Sequence, residues 1–206
     1  MGLYDKYLLS PMIDRMCGAP EVMDVRREVV PQASGRVIEL GLGSGLNLSL
    51  YDPDRVTGVV GVDPGPHITE LARRRIEACP VDVELLQVSG ERVPADDAAF
   101  DSAVVTFTFC TIPNVYRAIA ELRRVLKPGG HVYFAEHGLA RDARVRRWQH
   151  RVNPVWKCLA GGCQLIRDTP ALLQDGGFQL LEVQQDHAMP GPRIATWVSR
   201  GVARLR

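Results

Sequence analysis

Apolar runs of strand length alternate along the chain with stretches whose apolar residues recur every three or four positions. The runs are "RVIEL", "VTGVVGVD", "VDVELLQV", "FDSAVVTFTF" and "HVYFAEH", followed by "FQLLEVQQD" and "RIATWVS". The first five are rich in Val, Leu and Phe and mostly lack polar alternation, which predicts strands buried on both faces of a parallel sheet. Between the second and third runs, "PHITELARRRIEAC" sets Ile68, Leu71, Ala72 and Ile76 at helical spacing with arginines opposite. Between the fourth and fifth, "NVYRAIAELRRVLKPGG" carries Val115, Ile119, Leu122 and Leu126 in one stripe. Asn114 is placed to cap that helix, and Pro128 with Gly129 and Gly130 to end it. Such repeated units predict an α/β fold with a doubly wound, Rossmann-like sheet and right-handed crossovers.

Ahead of the first strand, "PEVMDVRREVV" places Val22, Val25 and Val29 on one side of a helix that Pro20 can begin. No internal repeat, low-complexity tract or linker interrupts the chain. The expected organisation is therefore one domain: a helical cap over 1–34, a ligand-binding core over 35–137, an insertion over 138–177 and C-terminal strands over 178–206.

A chain of 206 residues with 46% apolar and 24% charged residues buries a core without disulfides or metals. A formal charge of +1 argues against a general nucleic-acid binder. The five cysteines, Cys17, Cys79, Cys110, Cys158 and Cys163, fit no paired zinc spacing and read as reduced thiols in a cytoplasmic protein. No run reaches membrane length, which leaves peripheral membrane contact open.

The stretch "VIELGLGSGLNLSL" puts Gly41, Gly43 and Gly45 at alternate positions where the first strand stops. Glycine there allows a tight turn and a close approach of backbone to ligand, with a following helix offering free N–H groups. Asp63 ends the second strand in "GVVGVDPG", 22 positions after Gly41, placed to accept both hydroxyls of a ribose. Leu48 stands where the dinucleotide fingerprint has a Gly or Ala, so a nucleoside fits better than a pyrophosphate cofactor. Glu39 adds a carboxylate two residues before the turn.

"VIELGLGSG", "GVDPG", "GERVPADDAAFDSAVV" and "ELRRVLKPGGHVYFAEH", in this order over residues 36–137, resemble the class I S-adenosylmethionine-dependent methyltransferases. The resemblance implies a seven-stranded sheet whose last strand, near "RIATWVS", is antiparallel. It implies S-adenosyl-L-methionine as cofactor, with Gly41, Gly43 and Gly45 beside its amino-acid part, Glu39 supporting the turn, Asp63 on the ribose, and Pro64 and Gly65 beside the adenine. Ser89 stands where the family often has an acid, leaving Gly90 and Glu91 as candidates for the adenine amino group. Thr106 to Thr111 would run past the methionine portion toward the transferred methyl.

"WQHRVNPVWKCLAGGCQLIRDT", with "FCTI" and "FAEH" before it, looks like the branch that includes the microsomal alkyl-thiol methyltransferases. Those proteins carry an apolar N-terminal anchor, and "MGLYDKYLLSPMIDRM" does not match one. The resemblance implies a small-molecule acceptor, with a thiol favoured. Alternatives are N-methylation of a small amine or amino-lipid head group, and a cofactor-binding protein without transferase activity. A dinucleotide oxidoreductase is disfavoured by the lack of a Tyr-x-x-x-Lys pair.

Methyl transfer from a sulfonium needs position and desolvation more than catalytic apparatus. A thiol with a pKa near ~8.5 is only a few per cent ionised at neutral pH, so a nearby base or cation assists it. His137, directly after the fifth strand, is the first candidate for a base, with a structural role as the alternative. Glu136 is placed either to orient it or to cap a buried donor, and Cys110 either lines the acceptor pocket or packs as a small apolar residue. Trp148 and Trp156 in the insertion are candidate acceptor-side walls, and Arg144, Arg146, Arg147 and Arg151 read as a solvated face. His150 and Arg167 are further acceptor-side candidates, and Tyr4 and Tyr7 could close over the cofactor.

Overall fold

The computed structural model describes residues 10–65, 70–189 and 191–206. Tyr4, Tyr7 and Ile68, singled out above, lie outside the described residues. Seven strands form one sheet: β1 (Gly35–Leu40), β2 (Val56–Val62), β3 (Val83–Leu86), β4 (Phe100–Thr106), β5 (Leu126–His137), β6 (Phe178–His187) and β7 (Trp197–Leu205). Their order is β3-β2-β1-β4-β5-β7-β6, with β7 antiparallel to both its neighbours and the first five strands parallel. This is the expected doubly wound sheet with an antiparallel last strand. Strand order reverses between β1 and β4, so the crevice that receives ligands in such sheets lies at the carboxyl ends of those two strands.

The described helices are α1 (Ser10–Cys17), α2 (Pro20–Val29), α3 (Glu70–Glu77), α4 (Val115–Val125), α5 (Ala143–Leu159) and α6 (Thr169–Asp175). Strand side chains alternate between two cores, as the two-residue period of a strand requires. Ile38, Leu40, Ala103, Val105 and Phe134 pack with α4 and α6 on one face. Val37, Val59, Val104, Tyr133 and Val202 pack with Val25 and Val29 of α2 on the other. The predicted stripe of α4 is buried at Val115, Ile119 and Leu122, and Asn114 caps it by accepting from the Arg117 N–H at 3.2 Å.

Four expectations are corrected. Helix α4 stops at Val125, and Leu126, assigned above to its stripe, opens β5 in an extended conformation. Leu71 of α3 is 39% exposed, and among the described residues of the expected stripe only Ala72 is fully buried. Strand β4 ends at Thr106 and does not run on to Phe109, because Phe107 turns into the left-handed region at φ 52°. The glycine turn is followed by a short 3-10 turn, Leu48–Leu50, rather than by the expected α-helix.

Candidate functional site

The three turn glycines all have positive φ, 74° at Gly41, 55° at Gly43 and 80° at Gly45, a region that costs other residues free energy. The space they leave differs. A Cβ at Gly41 would lie 2.1 Å from the Thr108 hydroxyl, so that glycine makes room for the segment after β4. A Cβ at Gly45 would meet the Leu48 side chain at 2.9 Å. At Gly43 the nearest atom is the Gly41 carbonyl oxygen, 3.9 Å away, and this is the position where backbone lies open to a ligand.

Asp63, at the end of β2, accepts from the Gly43 N–H through Oδ2 and from the Gly65 N–H through Oδ1, both at 2.8 Å. It thereby locks the turn to the loop after β2, and its carboxylate retains lone pairs for further donors. Glu91 is tied differently: its carboxylate accepts from the Asn114 N–H at 3.0 Å, holding the start of α4. Gly90 is buried against the Leu40 side chain, and Pro64 is exposed.

Beneath the turn lies a buried polar network that the sequence reading missed except for Glu39 and Thr106. Arg26, 5% exposed, donates from one terminal nitrogen to the Asn47 side-chain oxygen at 2.8 Å and to the Thr106 hydroxyl. The Asn47 amide donates to Glu39 Oε1 at 2.9 Å and to Thr106 at 2.9 Å, and the Tyr51 hydroxyl donates to Glu39 Oε2 at 2.6 Å. Burial pushes the Glu39 carboxyl up to about 7, against the lowering by Tyr51, Asn47 and Arg26. The same burial lowers Arg26 from its ordinary range. Its guanidinium also lies over the Phe107 ring, 4.9 Å from the centroid. Arg26 was legible in part, since it falls within the apolar stripe of Val22, Val25 and Val29.

The carboxyl ends of β4 and β5 build a second cluster. Glu136, fully buried, accepts from the N–H groups of Thr108 at 2.6 Å, Phe109 at 3.0 Å and Cys110 at 3.3 Å. That nest of donors bends the chain away from β4 and fixes Cys110. Burial raises the Glu136 carboxyl to about 7, opposed by those three N–H groups. From the other side, the Gln164 N–H donates to the Cys110 carbonyl at 2.9 Å, while the Arg167 guanidinium donates to the Phe109 and Ile112 carbonyls. The segment after α5 is thus stitched to the one after β4.

These stitches place Cys163 beside His137, with 3.6 Å between Sγ and Nδ1. One ligand-type atom from each of Cys110, His137 and Cys163 lies within 4.8 Å of the others. The thiol of Cys163 is held well below the usual range because Cys110 donates to it and His137 adjoins it, and Cys110, the donor, is raised. Cys163 was read above only as one of five reduced thiols without paired zinc spacing. Its spacing gave no signal, because both partners come from other strands' ends.

Trp156 lies on the buried side of α5 with its indole N–H enclosed, close enough to Cys163 to help lower that thiol. Trp148 is 56% exposed with Arg151 5.5 Å over its ring, and the structure does not bring it to the cluster. Arg144, Arg146, Arg147, His150 and Arg151 are exposed. A cleft of about 550 Å³ between Tyr116, Ile166 and Ala171 includes neither the glycine turn nor the cluster in its lining. Among the described residues no helix is long and apolar enough to cross a membrane.

The switch point at the carboxyl ends of β1 and β4, with the open backbone at Gly43 and the Asp63 clamp beside it, is where open α/β sheets take up a ligand. Residues 38–134 match the family model described as methyltransferase domain, and this part of the chain belongs to that family. The human thiol S-methyltransferase TMT1A is 32% identical over 163 residues, covering 77% of this chain and 66% of its own length. The human thiol S-methyltransferase TMT1B is 34% identical over 165 residues, with the same coverage of 77% and 66%. The chain thus spans just under two thirds of these relatives. Among solved structures, the N-methyltransferase NodS from Bradyrhizobium japonicum in complex with S-adenosyl-L-homocysteine superposes with a TM-score of 0.69 at 18% identity, over 93% of this chain and 90% of that one.

Proposed function

We propose that the protein transfers the methyl group of S-adenosylmethionine to the sulfur of a small thiol. The open backbone at Gly43, beside a clamping carboxylate, fits such a cofactor: Gly43 admits its amino-acid part, Asp63 accepts from the ribose, and the loop over Pro64 and Gly65 flanks the base. Gly90 closes the adenine side, Glu91 acts there through its backbone, and Glu39 supports the turn through Asn47. Bound there, S-adenosylmethionine supplies a methyl group that is already activated. The chain's own residues then have to seat the acceptor, exclude water and favour its ionised form.

The observation that carries the thiol reading is the chemistry of the acceptor end. Two thiols and an imidazole meet there, while the adjacent carboxylate, Glu136, is committed to three backbone N–H groups. Nothing in that set is built to receive an ammonium group, and the names of the two human relatives point the same way. His137 is the group that assists loss of the acceptor's proton, Cys110 lines its seat, and Trp156 in the 138–177 segment walls it.

The test is incubation with methyl-labelled S-adenosylmethionine and a panel of thiols, amines and phenols, followed by identification of the labelled product. A labelled methyl thioether is expected. Label on an amine, or no transfer by a protein that binds the cofactor, overturns the thiol assignment.

A further inference from the structure

We propose that Cys110, Cys163 and His137 are the three protein ligands of a zinc ion whose fourth position receives the sulfur of the acceptor, an inference that rests on the thiol reading above. The three groups come from the segment after β4, the turn after α5 and the end of β5, yet their ligand atoms converge within 4.8 Å. A tetrahedral zinc with Zn–S near ~2.3 Å and Zn–N near ~2.05 Å sets its sulfur and nitrogen ligands about 3.5 Å apart. Cys163 Sγ and His137 Nδ1 stand 3.6 Å apart, so they span an edge of that tetrahedron without moving.

The convergence is imposed by backbone rather than by the three side chains themselves. The N–H of Cys110 is held by Glu136 and its carbonyl by Gln164, one residue after Cys163. The Leu139 N–H, two residues after His137, donates to the Arg167 carbonyl at 2.9 Å. A site whose ligands are positioned by their own segments is preorganised for an ion. His137 Nδ1 meets only the Cys163 sulfur among the described residues, which leaves that nitrogen to an ion. A histidine kept for hydrogen bonding would give its nitrogens to oxygen or nitrogen.

The donor set selects the metal class. Two sulfurs and an imidazole, with no carboxylate oxygen, suit zinc and exclude the oxygen-seeking Mg²⁺ and Ca²⁺. Structural zinc sites close with four protein ligands, whereas three ligands leave a position for a reactant, as a Cys2His set does in catalytic zinc sites. Cys158 is exposed on α5, and neither it nor Cys17, whose thiol feels the charge of Cys163, belongs to the cluster.

As a zinc ligand His137 assists loss of the acceptor's proton through the metal rather than as a base: an R–SH entering the fourth position gives up its proton to solvent on binding zinc. Its sulfur then uses a lone pair to form a bond to the methyl carbon. The sulfonium S–CH₃ bond breaks, its electron pair returns to that sulfur, and neutral S-adenosylhomocysteine and R–S–CH₃ result. The uncharged thioether binds zinc more weakly than the thiolate did and leaves.

The experiment uses the full chain purified reduced. Zinc content is measured after dialysis, and affinity by competition with a chromophoric chelator; Co²⁺ is then substituted and its absorption followed as a simple alkyl thiol is added. One zinc per chain is expected, with affinity lowered at least about 100-fold in Cys163→Ser and in Cys110→Ser and unchanged in Cys158→Ser. Thermal melting checks that each variant folds. The cobalt spectrum should show thiolate charge transfer and shift again with added thiol. Failure of the reduced, folded protein to bind zinc overturns the inference even where thiols are methylated, and a cobalt spectrum indifferent to thiol overturns the open position. Zinc binding with a thiol response, accompanied by methylation of amines alone, supports the metal site and instead overturns the thiol function.

Discussion

The Arg26 guanidinium and the Glu39 carboxylate are joined through one amide: Asn47 accepts from Arg26 at 2.8 Å and donates to Glu39 at 2.9 Å. A buried cation and a buried acid one side chain apart cost desolvation that their attraction offsets, and removing either leaves the other uncompensated. Arg26→Met should therefore lower stability by about 3 kcal/mol in urea unfolding. Arg26→Lys should recover part of the loss, because it keeps the charge. The double variant Arg26→Met with Glu39→Gln should be less destabilised than the sum of the two singles, since no lone charge is then left. Strict additivity would mean that the two groups do not compensate one another.

Glu39 also makes stability depend on pH. Its carboxyl stands at about 7 in the fold against 4.5 ordinarily, so folding favours the protonated form. Its contribution is fully present below the unfolded value of 4.5, declines as pH rises from there, and is lost above about 7. The full shift corresponds to about 3 kcal/mol. Glu39→Gln keeps the hydrogen-bonding shape without the titration. Urea midpoints taken at about pH 5.5 and about pH 8 should differ more in the parent than in the variant. An equal difference in both would assign the pH dependence to other groups.

The sheet was legible because its strands are apolar on both faces: "RVIEL" and "FDSAVVTF" give two cores whatever their partners. The place of Asp63 at the end of β2 was legible from spacing along the chain, whereas its clamp on the Gly43 and Gly65 N–H groups was not. What stayed hidden was decided by groups far apart in sequence. Phe107 leaves β4 because Glu136, in another strand, collects the N–H groups of the next three residues. Cys163 acquires meaning from His137, 26 residues earlier, through contacts made by Gln164 and Arg167. Gly41, expected beside the cofactor, has no room for a Cβ because Thr108 lies against it, a contact that spacing along the chain does not show.

Asp63 bears on cofactor affinity more than on folding, because it is half-exposed and its two partners are loop N–H groups. Asp63→Ala removes an ionised acceptor from the ribose and frees the turn. Each charged hydrogen bond contributes about 1.5–3 kcal/mol, so the Kd for S-adenosylmethionine should rise at least about 10-fold by calorimetry. Asp63→Asn, which still accepts through one oxygen, should fall between the two. The melting temperature without cofactor should move little in either. Unchanged affinity in the alanine variant would remove Asp63 from the cofactor site.

Gly41 and Gly43 should separate folding from binding within one turn. Each has positive φ, so an alanine costs about 1 kcal/mol in backbone strain at either position. At Gly41 the new Cβ also lies 2.1 Å from the Thr108 hydroxyl and 2.8 Å from the Thr108 Cβ, which adds overpacking of about 1–3 kcal/mol. Gly41→Ala should therefore destabilise by about 3 kcal/mol, and Thr108→Gly in the same chain should restore part of that. At Gly43 the new Cβ meets nothing closer than 3.9 Å, so stability should fall only by the backbone term. Its methyl would instead stand where the cofactor's amino-acid part is placed, and affinity should drop at least about 10-fold, a loss of at least about 1.4 kcal/mol. Paired measurement of urea stability and S-adenosylmethionine affinity for both variants checks the division. If Gly43→Ala binds the cofactor as the parent does, the open side of the turn faces solvent and the methionine end must lie elsewhere.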